Sequence, residues 1–234
     1  MELVKDIWLK EDGIEFEKYL ESLKREEKID WTRNIYNTSM PVLAIKSPDI
    51  KSIAKEIRKG NYLSFLDLNI NSYYESMAVN GHLVSSIKDF STMKRYLDRY
   101  SQNVECWATC DLLKFNVKKN EEKFFKLSEE YIKSNKPFVR RIGMYLLFEL
   151  IDNDLYIDKI YKMLDKFEDE QEYYVNMMNA WLLCELFIKR REKTISFLQN
   201  NKLNKFTINK GISKCRDSFR VSKEDKEYLL RFKK

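Results

Sequence analysis

Helix-breaking residues are scarce in this chain, with five glycines and three prolines in 234 residues against the roughly 12% that average usage would give. That scarcity excludes a collagen-like or loop-dominated protein and leaves room for long uninterrupted helices. Histidine is rarer still: His82 stands alone, follows Gly81, and reads as a helix-end cap rather than a catalytic group. Four cysteines (Cys106, Cys110, Cys184 and Cys215) are too few and too irregularly spaced for a disulfide framework. They fall inside apolar helical patterns, which predicts buried free thiols. Cys106 and Cys110 lie one turn apart, but no neighbouring His or Cys completes a tetrahedral set. No metal is expected. Gly-rich phosphate loops and a Ser-His-Asp arrangement are also absent, so no nucleotide cofactor is expected and the usual hydrolases lose support. No stretch approaches the roughly 18 uncharged apolar residues of a membrane span, and the opening Met1-Glu2-Leu3-Val4-Lys5-Asp6 is charged. The expectation is a soluble, cytoplasmic protein with no membrane association.

What the chain does have is apolar residues, 44% of the total, ample for a core and incompatible with intrinsic disorder. It also has charge, unevenly placed. Residues 201–234 hold eleven Lys/Arg against four acids, a surplus of seven, while the other 200 residues hold 32 basic and 33 acidic side chains. A cationic end on a near-neutral body points to a polyanion such as nucleic acid. A lysine-rich, solvated helix pair is the other reading of the same residues.

Amphipathic spacing of helical period runs from end to end, as in Phe16, Tyr19, Leu20 and Leu23. Ser47-Pro48-Asp49 starts a helix whose inner face carries Ile50, Ile53, Ala54 and Ile57 and which ends at Gly60. Further helices are predicted over 72–79, 91–99, 104–118, 121–134, 138–151, 155–167, 172–189, 191–199, 206–217 and 222–231. No segment reads as a period-two strand, and no Gly/Ser linker interrupts the pattern. A single all-α domain over 1–234 is expected.

The chain also repeats itself. Val139–Leu150 overlays Val175–Leu186 at an offset of 36, and the pairs Leu112-Leu113, Leu146-Leu147 and Leu182-Leu183 share one frame. In that frame, Asp111, Tyr145 and Trp181 occupy one position, and Trp107, Arg141 and Met177 the position four residues earlier. Positions four apart lie on one helix face, and stacked helix pairs line one concave surface. The six side chains are therefore expected as a two-column ladder along a common groove.

Those residues resemble a known family. Cys106-Trp-Ala-Thr-Cys-Asp-Leu-Leu113 resembles the Trp-x-x-x-Asp motif of the AlkD-type DNA alkylation repair glycosylases. Phe138-Val139-Arg140-Arg141-Ile142 is similar to the start of that family's next inner helix, and Val175–Leu186 to the helix bearing its second active-site tryptophan. Met40–Pro48 resembles its early Pro-to-Pro loop, and Phe206–Ile212 with Ser222–Asp225 its C-terminal end. One departure is that Met177 and Met178 stand where the family carries a basic residue.

The resemblance implies a right-handed solenoid of HEAT-like helical repeats with a basic groove. It implies a glycosylase that acts on double-stranded DNA with alkylated purines, as a monomer and without flipping the base. Asp111 would be the catalytic carboxylate, with Trp107, Trp181 and Tyr145 against the lesion and its sugar. Arg141, with Arg140 as alternate, and Lys210 and Lys214 would meet the DNA backbone. The chemistry is coherent: alkylation at N3 or N7 makes a purine a cationic leaving group, so the site needs mainly a carboxylate to stabilise an oxocarbenium-like sugar and place a water. The residues alone leave two further readings open. Trp181 beside Leu182 and Leu183 also fits a core position, and Asp111 an inter-repeat structural aspartate. A non-catalytic module binding DNA structure or a protein through the same face is the functional alternative.

Overall fold

The computed structural model describes residues 1–234. It is all helical, with fourteen α-helices and no strand, and it divides into two compact units, Met1–Asn116 and Val117–Lys234. No helix is long and apolar enough to cross a membrane, and all four cysteines are free and buried.

The first unit comprises α1 (Lys10–Ser22), α2 (Ile29–Tyr36), α3 (Ser47–Ile57), α4 (Tyr62–Asp67), α5 (Tyr74–Ser85), α6 (Phe90–Gln102) and α7 (Trp107–Asp111). Its centre is α5. Every residue from Tyr74 to Gly81 is buried, as are Leu83 and Val84, and α1, α3, α4, α6 and α7 pack around it. Pro48 sits in the first turn of α3, as the Ser47-Pro48-Asp49 signal predicts, and Asp89 caps α6 by accepting the Thr92 N–H at 2.8 Å.

One buried carboxylate organises the loop between α2 and α3. Glu75 accepts the N–H groups of Leu43 at 3.0 Å and Ile45 at 3.3 Å, and Ala44 between them adopts a left-handed φ of 57°. Burial pushes the Glu75 carboxyl up from its ordinary value, and the backbone N–H groups of Leu43, Glu75, Ile45 and Ala44 pull it back. A carboxylate in an apolar interior is tolerated only with partners of this kind. The loop's path into α3 is thereby fixed from beneath.

Three expectations for this unit need correction. The helix predicted over 104–118 is only Trp107–Asp111. Beyond it Leu113, Phe115 and Val117 are buried while Lys114 and Asn116 are exposed, which is the period of two of an extended chain. The Lys114 N–H closes that stretch onto Ser85 Oγ at 3.0 Å. The helix predicted over 72–79 runs on through Gly81 to Ser85. Gly81 is a packing contact rather than a terminator: a Cβ there would lie 2.7 Å from the Tyr100 hydroxyl and against Leu112. His82 therefore belongs to the last turn of α5 and caps nothing. Finally, α2 and α4 were not predicted, each being too short for its spacing to stand out.

The second unit comprises α8 (Glu121–Tyr131), α9 (Pro137–Tyr145), α10 (Asp154–Leu164), α11 (Tyr173–Lys189), α12 (Arg191–Gln199), α13 (Lys205–Asp217) and α14 (Lys223–Tyr228). Here α11 is central, packing against α9, α12 and α13. The two segments that match at an offset of 36 are thus neighbours in space. Gly211 admits α13 closely, since a Cβ there would meet Leu183 Cδ2 at 2.8 Å. The helix predicted over 138–151 tightens after Tyr145 into a 3-10 helix, Leu146–Leu150.

Candidate functional site

In the first unit, α7 has under two turns and depends on its neighbours. The buried Tyr100 hydroxyl donates to the Thr109 carbonyl at 2.8 Å, and Thr109 Oγ1 donates back to the Cys106 carbonyl at 3.0 Å. With Ala108, Thr109 and Cys110 turned inward, the half-buried Trp107 and Asp111 share the outer face. The Trp107 indole N–H donates to the Ile35 carbonyl at 3.3 Å. Its ring meets Tyr36 edge-on at 5.9 Å, and Tyr36 lies over Tyr74 at 4.3 Å.

Trp107 and Asp111 form one wall of a surface hollow of about 560 Å³. Each contributing helix presents residues at helical spacing. From α3 come Ser47 and Lys51, with Arg58 just past its end, from α5 Tyr74, Ala78, His82 and Ser85, and from α7 Trp107, Ala108 and Asp111. The small Ala78 and Ala108 leave the space open. Lys114 completes the rim.

The electrostatics of the hollow are lopsided. Lys51, Arg58 and Lys114 face it with no ion pair of their own, and Asp111 is its one carboxylate. His82 is held below its ordinary value by burial first and by Lys51 and Lys114 next. The Tyr74 hydroxyl is held far above its ordinary value by burial first and by Tyr36 next. At neutral pH the hollow therefore holds three cations, one carboxylate, a neutral imidazole and two phenols, a lining suited to a phosphate beside an aromatic or sugar face. Sequence reasoning picked out Trp107 and Asp111 but left out Lys51, Arg58, Tyr36 and Tyr74, and took His82 for a cap. The signal for this wall was available in Ser47, Lys51 and Arg58, a polar stripe at helical spacing beside the buried face of Ile50, Ile53 and Ile57.

In the second unit the structure brings Tyr145 and Trp181 together, with ring centroids 6.4 Å apart, and Phe148 closer still to Trp181 at 4.7 Å. Trp181 is half-buried, between the core and contact readings. The two arginines are engaged within the unit. Arg141 is 5% exposed and donates to the Tyr174 carbonyl at 2.5 Å. Arg140 holds Glu170 through two nitrogens at 2.8 and 3.0 Å and also reaches the Ser134 carbonyl at 2.9 Å. The role expected of them, direct contact with phosphate, requires guanidinium groups that already have partners here. Lys210 on α13 is exposed and Lys214 half-buried; Met178 is buried and Met177 half-buried.

The chain matches the model of the family described as DNA alkylation repair enzyme over residues 16–215. It belongs to that family. Among curated proteins, none matches it in sequence.

Proposed function

We propose that this DNA repair enzyme is a DNA glycosylase that excises cationic N3- and N7-alkylated purines from duplex DNA, with Asp111 as its catalytic carboxylate. The observation that carries the reading is the pairing of Trp107 and Asp111 on one wall of a hollow whose other walls present unpaired cations. The cations take the backbone, and the Trp107 and Tyr36 faces meet sugar and positive charge. Asp111 then stabilises the oxocarbenium-like sugar and orients a water. The C1′–N bond breaks with its electron pair leaving on the base, which departs neutral because it was cationic. Water adds at C1′ and gives up its proton to the Asp111 carboxylate, which passes it on to solvent. No general acid is required for such a base.

Family membership supports the repair role, and the contact of α9 with α11 supports reading those two segments as HEAT-like repeats within the second unit. In the second unit, taken by itself, Trp181 and Tyr145 offer aromatic faces to DNA and Lys210 and Lys214 offer cations to phosphates, while Arg140 and Arg141 hold Glu170 and the Tyr174 carbonyl within that unit. The test is release of free base from duplexes bearing 7-methylguanine, 3-methyladenine, hypoxanthine or uracil. The cationic lesions should be released and the neutral ones not. Uracil release at a comparable rate overturns the mechanism, and no release of any base favours a non-catalytic binding module.

A further inference from the structure

We propose that the hollow of the first unit is a seat for one phosphodiester of the bound duplex, and that His82 takes up a proton when the seat is filled. The inference rests on the function proposed above and adds to it a pH-linked binding step.

His82 shares the lining of the hollow with Lys51 of α3, Arg58 just past the end of α3, Asp111 of α7, Lys114 beyond it, Tyr36 of α2 and Tyr74 of its own helix, and of the charges Lys51 and Lys114 act on it directly. No charged side chain of α1, α4 or α6 lines the hollow. Three cations against one carboxylate in a hollow lined by a half-buried imidazole disfavour a fourth positive charge, which agrees with His82 being held below its ordinary value by burial first and then by Lys51 and Lys114. A phosphate oxygen entering among these groups reverses the balance. Its charge offsets the lysines, and it accepts a stronger, charge-assisted hydrogen bond from the imidazolium than from the neutral ring. The hydroxyls of Ser47, Ser85 and Ser86 on the same lining supply further donors without adding charge.

The sign of the linkage follows. The empty seat holds neutral His82 and the filled seat holds the protonated form, so affinity for the phosphodiester rises as pH falls between the two titration midpoints. For one proton the gain is at most about tenfold per pH unit. Inorganic phosphate shares the recognising chemistry and serves as the control for the source of the anion.

His82 is the chain's only histidine, so its ring nitrogens give a single set of imidazole NMR signals. These would be titrated in the free protein, with an unmodified duplex, with inorganic phosphate, and with chloride at matched ionic strength. The duplex should move the His82 midpoint upward and chloride should not. Duplex affinity should rise several-fold from pH 8 to pH 6, and His82→Gln should still bind while losing that pH dependence. In the free protein, Lys114→Met should raise the midpoint by removing a facing cation, a readout that needs no ligand. The proposal is overturned if the duplex binds without moving the His82 signals, or if His82→Gln keeps the full pH dependence. A midpoint moved by inorganic phosphate but not by duplex overturns the duplex as occupant. Loss of base release with the duplex-induced shift intact removes the glycosylase reading and leaves the seat standing.

Discussion

Around Trp107, in the first unit, Lys51, Arg58 and Lys114 reach a hollow without carboxylate partners. In the second unit the arginines are tied down: Arg140 to Glu170, Arg191 to Asp225 and Arg220 to Glu185. The contrast runs against the charge arithmetic, because the segment with the large basic surplus contains Arg220 and Arg216, both facing acids. The near-neutral remainder contains the three unpaired cations of the hollow. Net charge per segment shows that a polyanion is attracted. Where it is held depends on which cations have unsatisfied hydrogen-bonding capacity, since a guanidinium already bidentate on a carboxylate gains little by exchanging it for a phosphate.

That contrast breaks if cations of the two kinds behave alike on substitution. The largest effect is expected for Arg140→Ala, which leaves Glu170, only 9% exposed, without its cation and with only the Glu172 N–H donating to it. Loss of a buried pair member costs about 3 kcal/mol or more, read as a lowered denaturation midpoint, while the salt dependence of DNA binding stays as in the wild type. Gly81→Ala comes next. Its Cβ collides with the Tyr100 hydroxyl and Leu112, an overpacking worth about 1–3 kcal/mol, and because Tyr100 also anchors Thr109, base release should fall with stability. Lys51→Met and Lys114→Met should change stability by less than about 0.5 kcal/mol. Each should instead reduce the slope of log affinity against log salt by about 0.9, one phosphate contact. Arg220→Ala should do least, since its side chain is 57% exposed and such pairs contribute under about 1 kcal/mol. If Arg220→Ala flattens the salt slope as much as Lys51→Met does, the distinction between engaged and free cations fails.

How far the sequence reached can be followed element by element. Long helices such as α11 were legible because seventeen residues give several turns of consistent spacing, and the 36-residue self-match found α9 and α11 as neighbours without reference to any structure. α7 was legible as a motif but not as an element. Its apolar residues fit helical spacing through Val117, and only tertiary contacts show that Leu113, Phe115 and Val117 belong to an extended chain. The end of α5 and the role of His82 were misread because a glycine in a helical pattern signals a terminus unless something packs against its missing side chain, and Tyr100 and Leu112, which pack against Gly81, are remote from it in sequence. The same distance hid the engagement of Arg140, whose partner Glu170 lies thirty residues on. Lys51, Arg58, Tyr36, Tyr74 and His82 went unseen as a group because they come from three helices that only packing around α5 assembles.

The central claim is that Asp111 acts as a charged catalyst. Its direct test is single-turnover release of 7-methylguanine from duplex DNA by the wild-type protein and by Asp111→Asn, with duplex affinity measured alongside. The substitution keeps size and shape and removes the charge that stabilises the oxocarbenium, an effect of about 10² to 10³ in rate when a preorganised electrostatic group is lost. The account predicts a rate lowered by that factor with affinity changed far less, and undiminished release by the Asn variant would contradict it.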